Sequence, residues 1–135
     1  MKKLENFSKM IQFLQDADES LAKKDDVYRM GVIGYFNLTF ELAWKSLKEV
    51  LNLYGVDVSK SGSPREILRE GFSIGFIADS DIWLDMMIKR NLSIHVYDEN
   101  IAIELIESIF SKYIPAFIEM RNLLQVKIDS VDQSS

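Results

Sequence analysis

An all-α fold, an up-and-down bundle of four to five helices, is what this sequence predicts, and a few observations carry the prediction. Apolar residues recur at three- and four-residue steps over almost the whole chain. No stretch alternates in the two-residue rhythm of a half-buried strand. Turn and capping residues fall at intervals that leave room for helices joined by brief loops.

The first stripe is Leu4, Phe7, Met10/Ile11, Leu14, Ala17 and Leu21, with Lys, Glu, Gln and Asp between them, and it predicts a helix over residues 3–23. A second stripe, Phe36, Phe40, Ala43, Leu47, Val50/Leu51 and Tyr54, starts near Tyr28 and stops at Gly55, a residue suited to the left-handed conformation after a helix end. Gly31 and Gly34 weaken its first turns or let another backbone approach closely. Ser63-Pro64-Arg65-Glu66 is a start signal for a short helix over 64–74: Ser63 can cap, Pro64 fits the first position and Glu66 can close a capping box. Gly75 breaks the pattern, Asp79 or Ser80 can cap again, and Ile82, Trp83, Met86 and Met87 carry a fourth helix through about 90–96. After Asp98-Glu99-Asn100 comes a long fifth helix, with Ala102, Leu105, Ile109, Tyr113, Phe117, Met120 and Leu124 as its stripe and a bend expected at Pro115. The expectation is one domain over residues 1–128 and a frayed polar tail over 129–135.

Composition narrows the function. A chain of 135 residues can bury a core without cross-links. It has no cysteine, which removes disulfides, thiolate metal sites and thiol nucleophiles and points to a reducing cytoplasm. No apolar run is long enough to cross a bilayer, and the first residues carry no secretory h-region. The net charge of −5 argues against a surface that grips nucleic acid all over, so contact with RNA has to be local or shared with a second copy or partner.

The segment with chemistry in it is Arg90-Asn91-Leu92-Ser93-Ile94-His95-Val96-Tyr97. His95 is the only histidine, hence the only side chain whose ordinary pKa lets it exchange protons near neutrality. If the helix continues, Asn91 and His95 lie about 40° apart and Arg90 and Tyr97 about 20° apart, so all four share one face. A cation, an amide, an imidazole and a phenol together suit a phosphodiester: Arg90 can fork onto phosphate, Asn91 can orient a hydroxyl, and His95 can move the proton. RNA supplies its own nucleophile in the 2′-hydroxyl, so such a site can cut RNA without a metal. On spacing alone, a lone histidine beside a helix end is more often a cap or a half-buried polar residue.

Other residues have two readings as well. In the second helix Trp44 reads first as core, with Glu41 and Lys45 as a spaced ion pair; the functional reading has Glu41 facing Arg90 or its cleft. Trp83, Met86 and Met87 read as core or dimer surface, the latter in a homodimer with two copies of the motif face to face. Asp79, Asp81 and Asp85 read as helix-start acids rather than a metal site. No glycine loop cradles phosphate, no strand offers paired carboxylates for nucleotidyl transfer, and no cofactor is implied.

The run Arg90 to Tyr97 resembles the Arg-polar-x-x-x-His-x-Tyr signature of HEPN domains. Phe40-Glu41-Leu42-Ala43-Trp44-Lys45, Ser63-Pro64-Arg65-Glu66 and Trp83-Leu84-Asp85-Met86 resemble further signatures of the branch called nucleotidyltransferase substrate-binding proteins. The resemblance spans residues 4 to 126. It implies a small helical subunit made beside a minimal nucleotidyltransferase, the two acting as toxin and antitoxin. It also implies that Arg90, Asn91 and His95 correspond to a ribonuclease site, with Tyr97 the tyrosine that the transferase adenylylates to silence it. The branch's older name implies instead a non-catalytic subunit holding the transferase's substrate.

Overall fold

The structure, a computed structural model, describes residues 2–56, 62–93 and 98–134. Among them every regular element is helical: α1 (Lys2–Asp16), α2 (Glu19–Lys24), α3 (Asp26–Leu53), α4 (Pro64–Ser73), α5 (Ser80–Ser93), α6 (Glu99–Ser108), a π-helical turn (Ile109–Tyr113) and α7 (Ile114–Ser134). The all-α bundle expected from the apolar stripes is the observed fold. No helix of the described residues is long and apolar enough to cross a membrane.

The 28-residue α3, about 42 Å long, is the spine; α1, α2, α4, α5, α6 and α7 all pack on it. Its apolar stripe meets those of α1, α5 and α7 in one aromatic cluster. Phe117 of α7 lies edge-on to Phe7 and Trp83, at centroid distances of 5.9 and 5.7 Å, while Phe36 stacks on Tyr113 at 5.4 Å. Phe40 extends the cluster outward, 6.4 Å from Trp83. Trp83, Met86 and Met87 are buried in this core, so they are not available as a dimer surface; the exposed apolar residues of α5 are Leu84, Ile88 and Leu92.

Helix ends follow the local chemistry. Gly55 and Gly75 both take positive φ after α3 and α4. Each closes the same double hydrogen bond: Val56 N–H to Leu51 and Gly55 to Asn52 in one, Phe76 to Gly71 and Gly75 to Phe72 in the other. Ser63 caps α4 with its hydroxyl on the Glu66 N–H, Asp79 caps α5 through Asp81 and Ile82, and Asp98 caps α6 through Ile101.

Three boundaries differ from the sequence expectation. The single helix expected over 3–23 is α1 and α2, interrupted where Asp18 turns to extended backbone and accepts the Leu21 N–H. At Pro115, which cannot donate to the residue four before it, the helix widens beforehand into the π turn, and the Ile114 N–H bonds the Ile109 carbonyl five residues back. The expected frayed tail is instead the end of α7, which runs on to Ser134 with Gln125–Asp129 and Ser130–Val126 bonds along it.

Candidate functional site

Arg90 lies in the last turns of α5 and Glu41 near the middle of α3, and the crossing of these helices joins them in an ion pair and hydrogen bond from Arg90 Nη2 to Glu41 Oε1. Both are mostly enclosed, with side-chain exposures of 22% and 29%. Beneath the guanidinium is the Phe40 ring, its centroid 5.7 Å from Cζ, a placement that adds cation–π attraction. Lys45, one turn along α3, holds the other oxygen of Glu41 at 3.6 Å and lies 5.6 Å from the Trp44 ring centroid. Asn91 is exposed beside Arg90, its Oδ1 at 3.5 Å from Nη1.

Of the residues singled out from the sequence, the structure thus brings together Arg90, Asn91, Glu41 and Lys45. Both readings of Glu41 hold at once, since it pairs with Lys45 and faces Arg90. His95 and Tyr97 lie outside the described residues. Two of the aspartates serve structure: Asp79 caps, and Asp85 accepts the Tyr113 hydroxyl at 2.5 Å and pairs with Lys89 at 3.6 Å. Burial, reinforced by that carboxylate, holds the Tyr113 phenol well above its ordinary pKa. No group of carboxylates and imidazoles among the described residues is arranged for a metal.

Sequence reasoning missed Arg29, which is 1% exposed. Its Nε and Nη2 donate to the Ala22 and Lys23 carbonyls that α2 leaves open at its end, at 2.9 and 2.8 Å, and Nη1 reaches Asp26 at 2.6 Å and Glu99 at 3.9 Å. The signal was present: Arg29 stands on the stripe that continues through Val32, Ile33 and Phe36, a cation where spacing asks for an apolar residue.

In this all-helical bundle, then, the candidate site is an arginine of α5 joined to a glutamate of α3, beside an exposed amide. Residues 2–126 match the family described as nucleotidyltransferase substrate binding protein like, and the chain belongs to that family. It is 30% identical to the probable ribonuclease HepT of Haemophilus influenzae over 76 residues, 55% of this chain and 52% of that protein. The chain therefore aligns with about half the length of that curated relative. A crystal structure of a Thermus thermophilus protein superposes with a TM-score of 0.60 at 25% identity, covering 93% of this chain and 98% of the other.

Proposed function

We propose that the protein is the HEPN toxin-like partner of a minimal nucleotidyltransferase and cuts RNA without a metal, through Arg90, Asn91 and His95. The observation that carries this reading is the arginine held against Glu41 and Phe40 yet still partly open beside Asn91: in an acidic chain it is an oriented cation at the motif. The family's description as nucleotidyltransferase-linked and the relative named a probable ribonuclease support the same assignment.

In this mechanism Arg90 holds a phosphate oxygen and offsets the charge gained as the ribose 2′-oxygen attacks phosphorus. His95 takes the 2′-hydroxyl proton, and the 5′-oxygen of the next nucleotide leaves and is protonated, giving a cyclic phosphate and a 5′-hydroxyl. Silencing moves the α-phosphate of ATP to the Tyr97 oxygen with release of pyrophosphate. The adduct then sets a negative charge and a nucleoside over the motif, where Arg90 can pair with it and RNA is repelled.

The homodimer proposed around the motif would use one side of α3. Val27, Gly31, Gly34 and Leu38 fall on the same side of α3 as Glu41 and Lys45; all four are exposed, and an added Cβ at either glycine would meet nothing within 4 Å. Leu38→Glu is expected to turn a dimer into a monomer in light scattering, and a monomeric parent protein at micromolar concentration would remove the dimer.

The decisive test is purified protein incubated with single-stranded RNA in excess chelator. Cleavage is expected, lost in His95→Ala and retained in Tyr97→Phe. Protein co-produced with its cognate transferase and ATP should carry nucleotide on Tyr97 and none in the Phe variant. The family's description favours a second reading, a non-catalytic holder of the transferase's substrate. Intact RNA together with tight transferase binding would establish that reading and overturn the first.

A further inference from the structure

A second site lies between α4 and the start of α5. The α4 face Arg65, Leu68, Arg69 and Phe72 stands over Ile77 and over Ser80, Trp83 and Leu84 of α5, enclosing a cavity of about 180 Å³. Its walls are mostly carbon, Phe72 is left about half exposed, and two guanidinium groups stand one helical turn apart at the rim.

We propose that this cleft binds a nucleoside phosphate, with the base in the cavity against Phe72 and the phosphate on Arg65 and Arg69. The volume is below the roughly 300 Å³ at which drug-sized ligands begin, so it admits a ring rather than a whole ligand and leaves a charged group outside. An arginine pair is suited to that group, because two planar forks match the oxygens of a phosphate. Among the described residues Arg65 makes no ion pair, and Arg69 has only Glu66 at 3.5 Å, with both side chains well exposed, a contact a phosphate can displace.

The orientation is fixed by the other end of the cleft. The first N–H groups of α5, beside Ser80, already bond the Asp79 carboxylate, which turns an anion away from that side. Bare phosphate leaves the apolar walls uncovered, and an uncharged ring leaves the arginines unused; the pair of features requires both halves in one molecule. Trp83 connects this cleft to the motif, since its ring meets Phe40 and Phe40 lies under Arg90. On an ideal helix Trp83 and Arg90 are about 20° apart and about 10 Å along the axis, a separation that one or two nucleotides of a strand can bridge. The same chemistry can therefore come from a free nucleotide or from a residue of an RNA strand.

The site is testable without any cleavage assay, because Trp83 reports on it. In a Trp44→Phe background, adenosine monophosphate is expected to change the Trp83 fluorescence saturably. Adenosine and inorganic phosphate should each bind at least about tenfold more weakly, as should the nucleotide to the Arg65→Gln/Arg69→Gln double variant, given the worth of charge-assisted contacts. Arg90→Ala is expected to leave the affinity unchanged. Displacement of the nucleotide by a short single-stranded RNA assigns the cleft to a strand, and failure of displacement assigns it to the free nucleotide. No saturable binding at ten millimolar, equal affinity for adenosine, an unaffected arginine double variant, or loss of binding in Arg90→Ala would each overturn the assignment. Success here with intact RNA in the cleavage test would retain the cleft and discard the ribonuclease.

Discussion

Replacing Arg90 with alanine separates what this side chain does for the fold from what it does in the proposed reaction. From the motif alone, Arg90 reads as a solvent-facing cleft residue whose loss costs the fold less than about half a kcal/mol. Its surroundings predict otherwise. With both partners less than a third exposed, the charge-assisted contact to Glu41 is worth about 1.5–3 kcal/mol, and the stacking on Phe40 about 0.5–1 kcal/mol. Against this, Glu41 is not stranded when Arg90 leaves, because Lys45 still reaches its other oxygen. The net expectation is a loss of about 1–3 kcal/mol, with a coupling energy of at least about 0.5 kcal/mol between Arg90→Ala and Glu41→Gln in a double-mutant cycle. Urea unfolding read by circular dichroism measures it, with the four midpoints compared at a common slope. A loss under about 0.5 kcal/mol together with zero coupling would refute the clamp and return Arg90 to an unconstrained surface cation.

Arg29→Met is expected to cost about 2–4 kcal/mol, chiefly because it strands the Ala22 and Lys23 carbonyls, while Asp26 and Glu99 are mostly exposed and lose little with their shared cation; a melting temperature within two degrees of the parent would contradict it. Gly71→Ala should destabilise despite the roughly 1 kcal/mol of helix propensity it gains, since its Cβ would come within 2.8 Å of a fully buried Leu47 methyl and overpacking costs about 1–3 kcal/mol; a stabilised variant would show that Leu47 gives way freely. The Tyr113 phenol keeps its proton to higher pH in the folded chain than in the unfolded one, so its contribution is complete below about pH 10, the unfolded value, and is lost as pH rises beyond it. Tyr113→Phe is expected to cost about 1–2 kcal/mol at neutral pH by leaving Asp85 without its donor and to flatten the alkaline fall in stability, which a series of unfolding curves from pH 8 to 11 checks.

The parts of the fold legible in the sequence are those where one residue's neighbours along the chain decide its state. Apolar stripes marked the faces of α3 and α5, and Ser63-Pro64, Gly55 and Gly75 marked helix ends, because caps and left-handed turns are local hydrogen-bond problems. The break between α1 and α2 was hidden since Leu14, Ala17 and Leu21 keep helical spacing across it; Asp18 leaves the helix to cap α2 and, through its N–H, to bond the Tyr28 hydroxyl ten residues on. Tyr113 read as one more apolar position, yet its hydroxyl belongs with Asp85, 28 residues away. The candidate site divides the same way. Chemistry marked Arg90 and Asn91, whereas the pairing of Arg90 with Glu41, 49 residues earlier and only one of two readings open for Glu41 in the sequence, is decided by how α3 and α5 cross.

An enclosed ion pair is seldom the most stabilising filling for its space, since well-packed apolar residues often do as well or better, so stability alone does not account for Glu41 and Arg90. The proposed role in RNA cleavage would account for them, provided Arg90 can turn part of its fork to a phosphate without abandoning Glu41 to a poorly solvated pocket. Lys45 supplies that provision, at 3.6 Å from Glu41 Oε2, while Arg90 Nη2 bonds Oε1. Lys45→Ala should therefore make Glu41 hold Arg90 harder and weaken RNA cleavage, while the fold loses little because Lys45 is nearly half exposed. A partly exposed pair is worth about 0.2–1 kcal/mol, which sets the loss in kcat/KM at up to about fivefold. In a Glu41→Gln background there is no carboxylate to stabilise, and the same substitution should have no further effect. Cleavage rates of the four proteins on one RNA decide it: an equal loss in both backgrounds would mean that Lys45 touches the RNA itself, and no loss in either would mean that Arg90 reaches phosphate without Glu41 having to yield.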